Sequence, residues 1–341
     1  MRKLLIIVLL LSLVSACKNQ ERFTSAYSDY FDTVTIVISY CDNEKEFQEI
    51  NTIVIEKLGY YHQLFDIYQE YEDLVNISTI NRLARKEPLE VSDDLLEFLL
   101  FIKESYKKSD GLVNAGLGSV LKIWHEYREI GLKDPSSASL PPMSLLIDAD
   151  RHTAISNLVI DEEKKTVYFV DSSYSLDVGA LAKGYALDRI ALSLQEKNIT
   201  NFVISVGGDV ITVGDRAGQG KWSIGIQDPD LSKSDSIILK LEVKDKAVAT
   251  SGDYQRFYLV KEVAYSHIIN PINLYPADYY HSVTVICEDG KTADLLSTML
   301  FIMSPENAIA YVNDLEDVEA CFILKDNSIL YSTEFPKYIA K

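Results

Sequence analysis

From Tyr30 to Tyr40 apolar side chains alternate around Val34, Ile36 and Ile38, the period-two pattern of a half-buried strand. The period then lengthens. Phe47, Ile50, Val54, Leu58, Tyr61 and Phe65 recur at helical spacing, which predicts an amphipathic helix over Glu44 to Phe65. A second helix is predicted after Ser92, a good N-cap followed by Asp93 and Asp94, with Leu96, Leu99, Ile102 and Tyr106 on its apolar face and its end before Gly111. The Pro/Ser-rich run DPSSASLPP between Gly131 and Asn157 reads as a surface loop. Strand patterns follow at Val167–Val170, Phe202–Val206, Val210–Val213, Trp222–Ile226, Ile237–Val243, Ala247–Thr250, Arg256–Val260 and Val283–Cys287. A helix over Thr292–Met303 and short strands at Ala320–Leu324 and Ser328–Ser332 complete the chain. Strands and helices arrive in clusters without βαβ alternation, which predicts an α+β fold with largely antiparallel sheets and packed helices.

The N-terminus carries an address. Arg2 and Lys3 precede an apolar run, Leu4 to Val14, too short to span a bilayer and matched to a signal h-region. The sequence Leu13-Val14-Ser15-Ala16-Cys17 resembles the lipobox of bacterial lipoproteins. Residues 1–16 are thus expected to be a signal peptide, Cys17 the lipidated residue, 17–28 a polar tether and 29–341 the working domain. Lipidation places the expected domain outside the cytoplasm, held to a membrane by its lipid.

Without residues 1–16, 325 of 341 residues remain, enough for a sizeable core, and losing Arg2 and Lys3 takes the net charge from −18 to −20. So acidic a chain, with basic runs no longer than Lys107-Lys108 and Lys164-Lys165, argues against a nucleic-acid partner. An anionic ligand would need local donors or a metal. Cys41, Cys287 and Cys321 are odd in number and lack CxxC spacing, so neither a disulfide framework nor a zinc site is indicated.

Candidate chemistry concentrates in DVGALAKGYALD, Asp177 to Asp188, where a carboxylate, two glycines and Lys183 precede a helical pattern. The N–H groups and positive dipole of a helix start favour an anion, and Lys183 adds a full charge. The same pattern also serves as a plain tight connection, and the residues alone leave both readings open. In ADLLSTMLFIM, Asp294 and Thr298 are four apart and share a helix face, a set that suits Mg2+ when a backbone carbonyl joins it. Spacing alone favours local roles instead, Asp294 at its own helix start and Thr298 bonding back to a carbonyl. His62, His125, His152, His267 and His281 show no paired ligand spacing. His267, among the polar residues of YSHIINP, is a candidate general base.

Ordered motifs along nearly the whole mature chain resemble one family: Asp66-Ile67-Tyr68 with ISTIN from Ile77, Asp110-Gly111, Trp124, LDVGALAKGYALD, SVGGDVITVG from Ser205, WSIGIQDP from Trp222, ATSGDYQRF from Ala249, SHIINP, SVTVI and ADLLST. The chain resembles the ApbE-type flavin transferases, FAD:protein FMN transferases. The resemblance implies two related subdomains around a FAD cleft, and FMN transfer from FAD to a threonine hydroxyl of an acceptor flavoprotein with release of AMP. It further implies Mg2+ on the Ala180 carbonyl, Asp294 and Thr298. FAD would then lie against Phe31, Tyr68, Leu112, Val113, Asn114, Asp177, Lys183 and Ile269. His267, Asp294 and Lys183 are the expected catalytic residues. The usual Gly-Ala-Phe-Asp is here Gly111-Leu112-Val113-Asn114, and the usual His-Ile-Ile-Asp-Pro with a Thr-Gly turn is His267-Ile268-Ile269-Asn270-Pro271 followed by Ile272-Asn273-Leu274. These departures keep two alternatives open: a flavin-binding lipoprotein that has lost transfer, and an enzyme that uses water to split FAD into FMN and AMP.

Overall fold

The structure is a computed structural model that describes residues 20–230, 232 and 236–341. The predicted signal peptide and Cys17 lie outside the described residues. In the N-terminal part the order is β1 (Glu21–Tyr30), β2 (Thr33–Cys41), α1 (Glu44–Phe65), α2 (Ile77–Leu83), β3 (Leu89–Glu90), α3 (Asp93–Lys108), α4 (Gly118–Lys133), α5 (Met143–Asp150), β4 (Leu158–Asp161), β5 (Thr166–Phe169), α6 (Ala182–Gln195), β6 (Phe202–Val206) and β7 (Asp209–Val213). The C-terminal part adds β8 (Trp222–Gln227), β9 (Ile237–Val243), β10 (Lys246–Gly252), β11 (Phe257–Val260), β12 (Val263–Ser266), β13 (Tyr280–Cys287), α7 (Gly290–Ile302), α8 (Pro305–Asn313), β14 (Glu319–Leu324) and β15 (Ile329–Tyr331).

One eight-stranded sheet in the order β1-β2-β6-β7-β10-β13-β14-β15 forms the spine, every neighbouring pair antiparallel. Its two halves repeat one plan. β1-β2-β6-β7 and β10-β13-β14-β15 are each two strands, a helical insertion and two more strands, and within each half the spatial order follows the chain order. The α+β antiparallel class is therefore realised, with two related halves joined through the β7–β10 pair.

Alternation along β2 decides what each sheet face meets. Thr35, Val37, Ser39 and Cys41 are buried, and Val37 and Cys41 pack with Phe47, Val54 and Leu58 of α1 and Leu187 and Ile190 of α6. On the opposite face Ile38 and Tyr40 pack toward Trp222 and Leu241 of the β8–β9 hairpin. α1 starts where its pattern predicts, with the Asn43 side chain accepting the Glu46 N–H. Ser92 caps α3 in the same way through Leu95 N–H.

One expectation needs correction, and several elements were not foreseen. Glu21–Tyr30, mostly assigned to the tether, is strand β1, because Phe23 stacks on Phe47 at 5.4 Å and the Ser25 hydroxyl bonds Asn51 at 2.7 Å. Its polar outward positions hid the inward ones. The Pro/Ser-rich run 134–142 is a surface loop with one 3-10 turn, as expected, and helix α5 at Met143–Asp150 follows it unforeseen. Helices α2, α4 and α8 also had no counterpart in the sequence reading, being short or carrying polar residues between their buried positions.

Candidate active site

Two hairpin tips meet at one end of the sheet. Phe31 and Asp32 join β1 to β2 with φ of 55° and 51°, and Gly207 and Gly208 join β6 to β7 with φ of 60° and 96°. Left-handed values at both central residues define the tight turn that matches strand twist. Glycine supplies that conformation without strain at the second tip, whereas at the first Phe31 and Asp32 are held in it, with the Phe31 N–H donating to His62 Nδ1 at 3.2 Å. The tips are tied by Gly207 N–H to the Val34 carbonyl at 3.1 Å.

Beside them the starts of α6 and α7 cross closely. A Cβ on Gly184 would stand 2.5 Å from Asp294 Cβ and overlap the Gly290 carbonyl, so only glycine allows the approach. Asp188, one turn along α6, caps α7 by accepting the N–H groups of Gly290 at 2.5 Å and Lys291 at 3.0 Å. Asp289 caps the same end through Thr292 N–H. The α7 N-terminus is thus satisfied without Asp294, whose Oδ2 accepts the Gly184 N–H of α6 at 2.9 Å. Thr298 reaches across to Ser251 Oγ at 3.2 Å. The local roles that spacing favoured for this pair are set aside by these contacts, and both side chains face a cleft.

The cleft has a volume of about 800 Å3. Phe31, Tyr68, Leu112, Val113, Asn114, Asp177, Ala180, Lys183, His267, Ile269, Asp294 and Thr298 all line it, so the structure brings together every site residue expected from the sequence apart from Cys17. Sequence reasoning missed four others. His125 and Arg128 of α4 and Arg256 before β11 also line the cleft, and Asp209 at the start of β7 pairs with Lys183. Asp209 and Arg256 stand within the motifs that begin at Ser205 and Ala249, whereas His125 and Arg128 lie outside every motif and only the fold brings them to the cleft.

Charge in the cleft is organised around burial. Asp294 is 4 % exposed, and burial pushes its carboxyl up to about 7 against the pull of Lys183, with Asp209 adding to the rise. Burial alone would lower the Lys183 ammonium, but Asp209 and Asp294 outweigh it and the net shift is upward. His267 is driven down to about 3, first by burial and then by Arg256 and Arg128. Its Nδ1 lies 3.1 Å from the Arg256 carbonyl, which can only accept, so Nδ1 carries the proton and Nε2 keeps its lone pair. His125 is lowered by burial, against the pull of Asp177, whose carboxylate lies 4.0 Å from Nε2; the other ring nitrogen contacts Tyr68 Oη at 3.2 Å.

The two departures from the family pattern have structural partners. Asn114 Nδ2 donates to the Thr153 carbonyl at 3.0 Å while its Oδ1 accepts Gly116 N–H at 2.9 Å. Asn270 Oδ1 accepts Ile272 N–H at 2.8 Å, and Leu274 takes the left-handed conformation, φ 63°, with its carbonyl accepting Trp124 Nε1 at 2.9 Å.

A long cleft with apolar walls, a helix start, three cations and a buried carboxylate defines an α+β protein built to bind a large, partly apolar anion. Comparison with known proteins makes the class specific. The chain belongs to the ApbE family, whose model matches residues 32–322. It is 28 % identical over 279 residues to the FAD:protein FMN transferase of Klebsiella pneumoniae strain 342, covering 80 % of this chain and 84 % of that protein. The protein of the same name from Chlamydia muridarum is 30 % identical over 247 residues, 70 % of this chain and 73 % of its own. Among solved structures, the ApbE protein of Thermotoga maritima superposes with a TM-score of 0.81 at 27 % identity, covering 94 % of this chain and all of its own. The flavin transferase ApbE of Vibrio cholerae gives 0.76 at 22 %, with 94 % and 99 % covered, and shares the fold.

Proposed function

We propose that this chain is an FAD:protein FMN transferase that moves FMN from FAD to a threonine hydroxyl of an acceptor flavoprotein and releases AMP. The observation that carries the reading is the convergence of twelve motif residues from six separated segments on one cleft large enough for a dinucleotide. Phe31, Tyr68, Leu112 and Ile269 offer apolar surface for the flavin ring. Lys183, Arg128 and Arg256 offer positive charge to the pyrophosphate in an otherwise acidic chain.

A divalent cation fits the donor set. Among the described residues no group of three acidic, histidine or cysteine side chains is placed to hold a metal ion by itself, which disfavours zinc-type ligation. Asp294, Thr298 and the Ala180 carbonyl supply oxygen only, and a single carboxylate with neutral oxygens and substrate phosphates suits Mg2+. Bound there, Mg2+ would neutralise phosphate charge and supply Lewis-acid stabilisation to the leaving group. His267 Nε2 takes the proton of the acceptor hydroxyl as its oxygen bonds the flavin-side phosphorus. The bond from that phosphorus to the bridging oxygen breaks, and AMP leaves with the electron pair. A base driven down to about 3 is weak, and an incoming pyrophosphate raises its basicity by offsetting Arg256, Arg128 and Lys183.

The test is to incubate the chain with FAD, Mg2+ and a threonine-bearing acceptor domain, reading acceptor mass and released nucleotide. One added FMN with AMP is expected. AMP without added mass would replace transfer by hydrolysis, and unchanged FAD would leave only binding. We also propose lipidation at Cys17 and an extracytoplasmic, membrane-anchored position. Loss of metabolic fatty-acid label in Cys17→Ser tests it.

A further inference from the structure

Asp209 is buried, at 2 % exposure, and its Oδ2 is in contact with the Lys183 ammonium. Its other oxygen, Oδ1, is buried with no hydrogen-bond partner among the described residues. A buried carboxylate with one oxygen unsatisfied is costly and calls for a reason. The backbone enforces its place. Asp209 is the first residue of β7, directly after the Gly207-Gly208 turn, and a Cβ on Gly207 would come within 2.7 Å of Thr33 Oγ1, so the turn is wedged against the neighbouring tip.

Lys183 has two carboxylates within its electrostatic reach, Asp209 and Asp294, and one ammonium to share. Asp209 has taken it: the contact runs to Asp209, while the Asp294 Oδ2 hydrogen bond comes from Gly184 N–H. We propose that Asp209 is a positioning residue that holds Lys183 off Asp294 and so keeps the Asp294 carboxylate open to a divalent cation. This rests on the assignment of Asp294 to the metal made above. An ammonium seated on Asp294 would compete with the cation for the same oxygens, because both are drawn by one negative charge on a buried carboxylate. Asp209 does not line the cleft and acts through the lysine.

The test is Mn2+ binding to the full chain without FAD, read by electron paramagnetic resonance of free Mn2+, so that turnover plays no part. D209N should weaken binding at least tenfold, because Lys183 turns to Asp294. K183Q should bind at least as tightly as the unchanged chain. D209N/K183Q should bind within about threefold of K183Q, a rescue that a purely structural role for Asp209 would not produce. D209N with unchanged affinity, a double variant as weak as D209N, or K183Q weakened tenfold would each overturn the proposal. K183Q alone decides the matter if D209N fails to fold. D294A should abolish binding; if it leaves Mn2+ affinity unchanged, the metal assignment is wrong and the inference falls with it.

Discussion

Gly184 and Asp294, 110 residues apart in the chain, are joined by a 2.9 Å hydrogen bond from the Gly184 N–H to Asp294 Oδ2, and the missing side chain of Gly184 makes that distance possible. The helix start that the sequence offers as either an anion cradle or a tight connection is therefore also the clamp that sets a carboxylate. Gly184→Ala must push α6 and α7 apart, and overpacking of this kind costs about 1–3 kcal/mol. Urea denaturation should show that loss, and FMN transfer should fall further than the folded fraction does.

His267 predicts a pH dependence with a definite sign. Its folded value, about 3, lies below the ordinary value of 6.5, so between those limits the unfolded chain binds the extra proton and acid favours unfolding. Stability from this group is full above pH 6.5 and is lost as pH falls toward 3. His267→Gln should lose less stability than the unchanged chain between pH 7 and pH 4.5, by on the order of 2 kcal/mol. Denaturant midpoints at the two pH values measure the difference; parallel loss in both proteins would refute it.

Asn114 replaces a carboxylate usual in the family, yet restoring the acid should not help. Its amide donates to the Thr153 carbonyl, and an aspartate would set two acceptors 3.0 Å apart in a half-buried turn. Asn114→Asp should lower stability by about 1–3 kcal/mol without raising the transfer rate. A thermal melt alongside single-turnover kinetics checks both halves.

Arg256 supplies cleft charge in a chain of net charge −18. Arg256→Ala should weaken FAD binding tenfold or more, with a shallower salt dependence than the unchanged chain, because one phosphate-directed cation is gone. Flavin fluorescence titrations at low and high salt provide the reading, and equal affinity at both would remove Arg256 from the ligand.

Much of the fold was legible locally. α1 has the bounds its apolar spacing predicts, Glu44–Phe65, and the period-two runs gave β6 and β9 to the residue. β1 and α4 were not legible, because a strand or helix that buries only alternate or widely spaced positions looks polar until its partners, α1 for β1 and β11 for α4, are known.

The sequence by itself determined the α+β antiparallel class, the ordered motifs and the residue types that bear chemistry, because periodicity and turn chemistry are local properties. Only the tertiary structure decided that Lys183 pairs with Asp209, that Asp294 answers to Gly184 instead of its own helix, and that His125, Arg128 and Arg256 join the cleft. Those pairings depend on which helices cross and which hairpin tips meet. They are set by close packing of distant segments, such as the glycine contact of α6 with α7, and no window along the chain contains both partners.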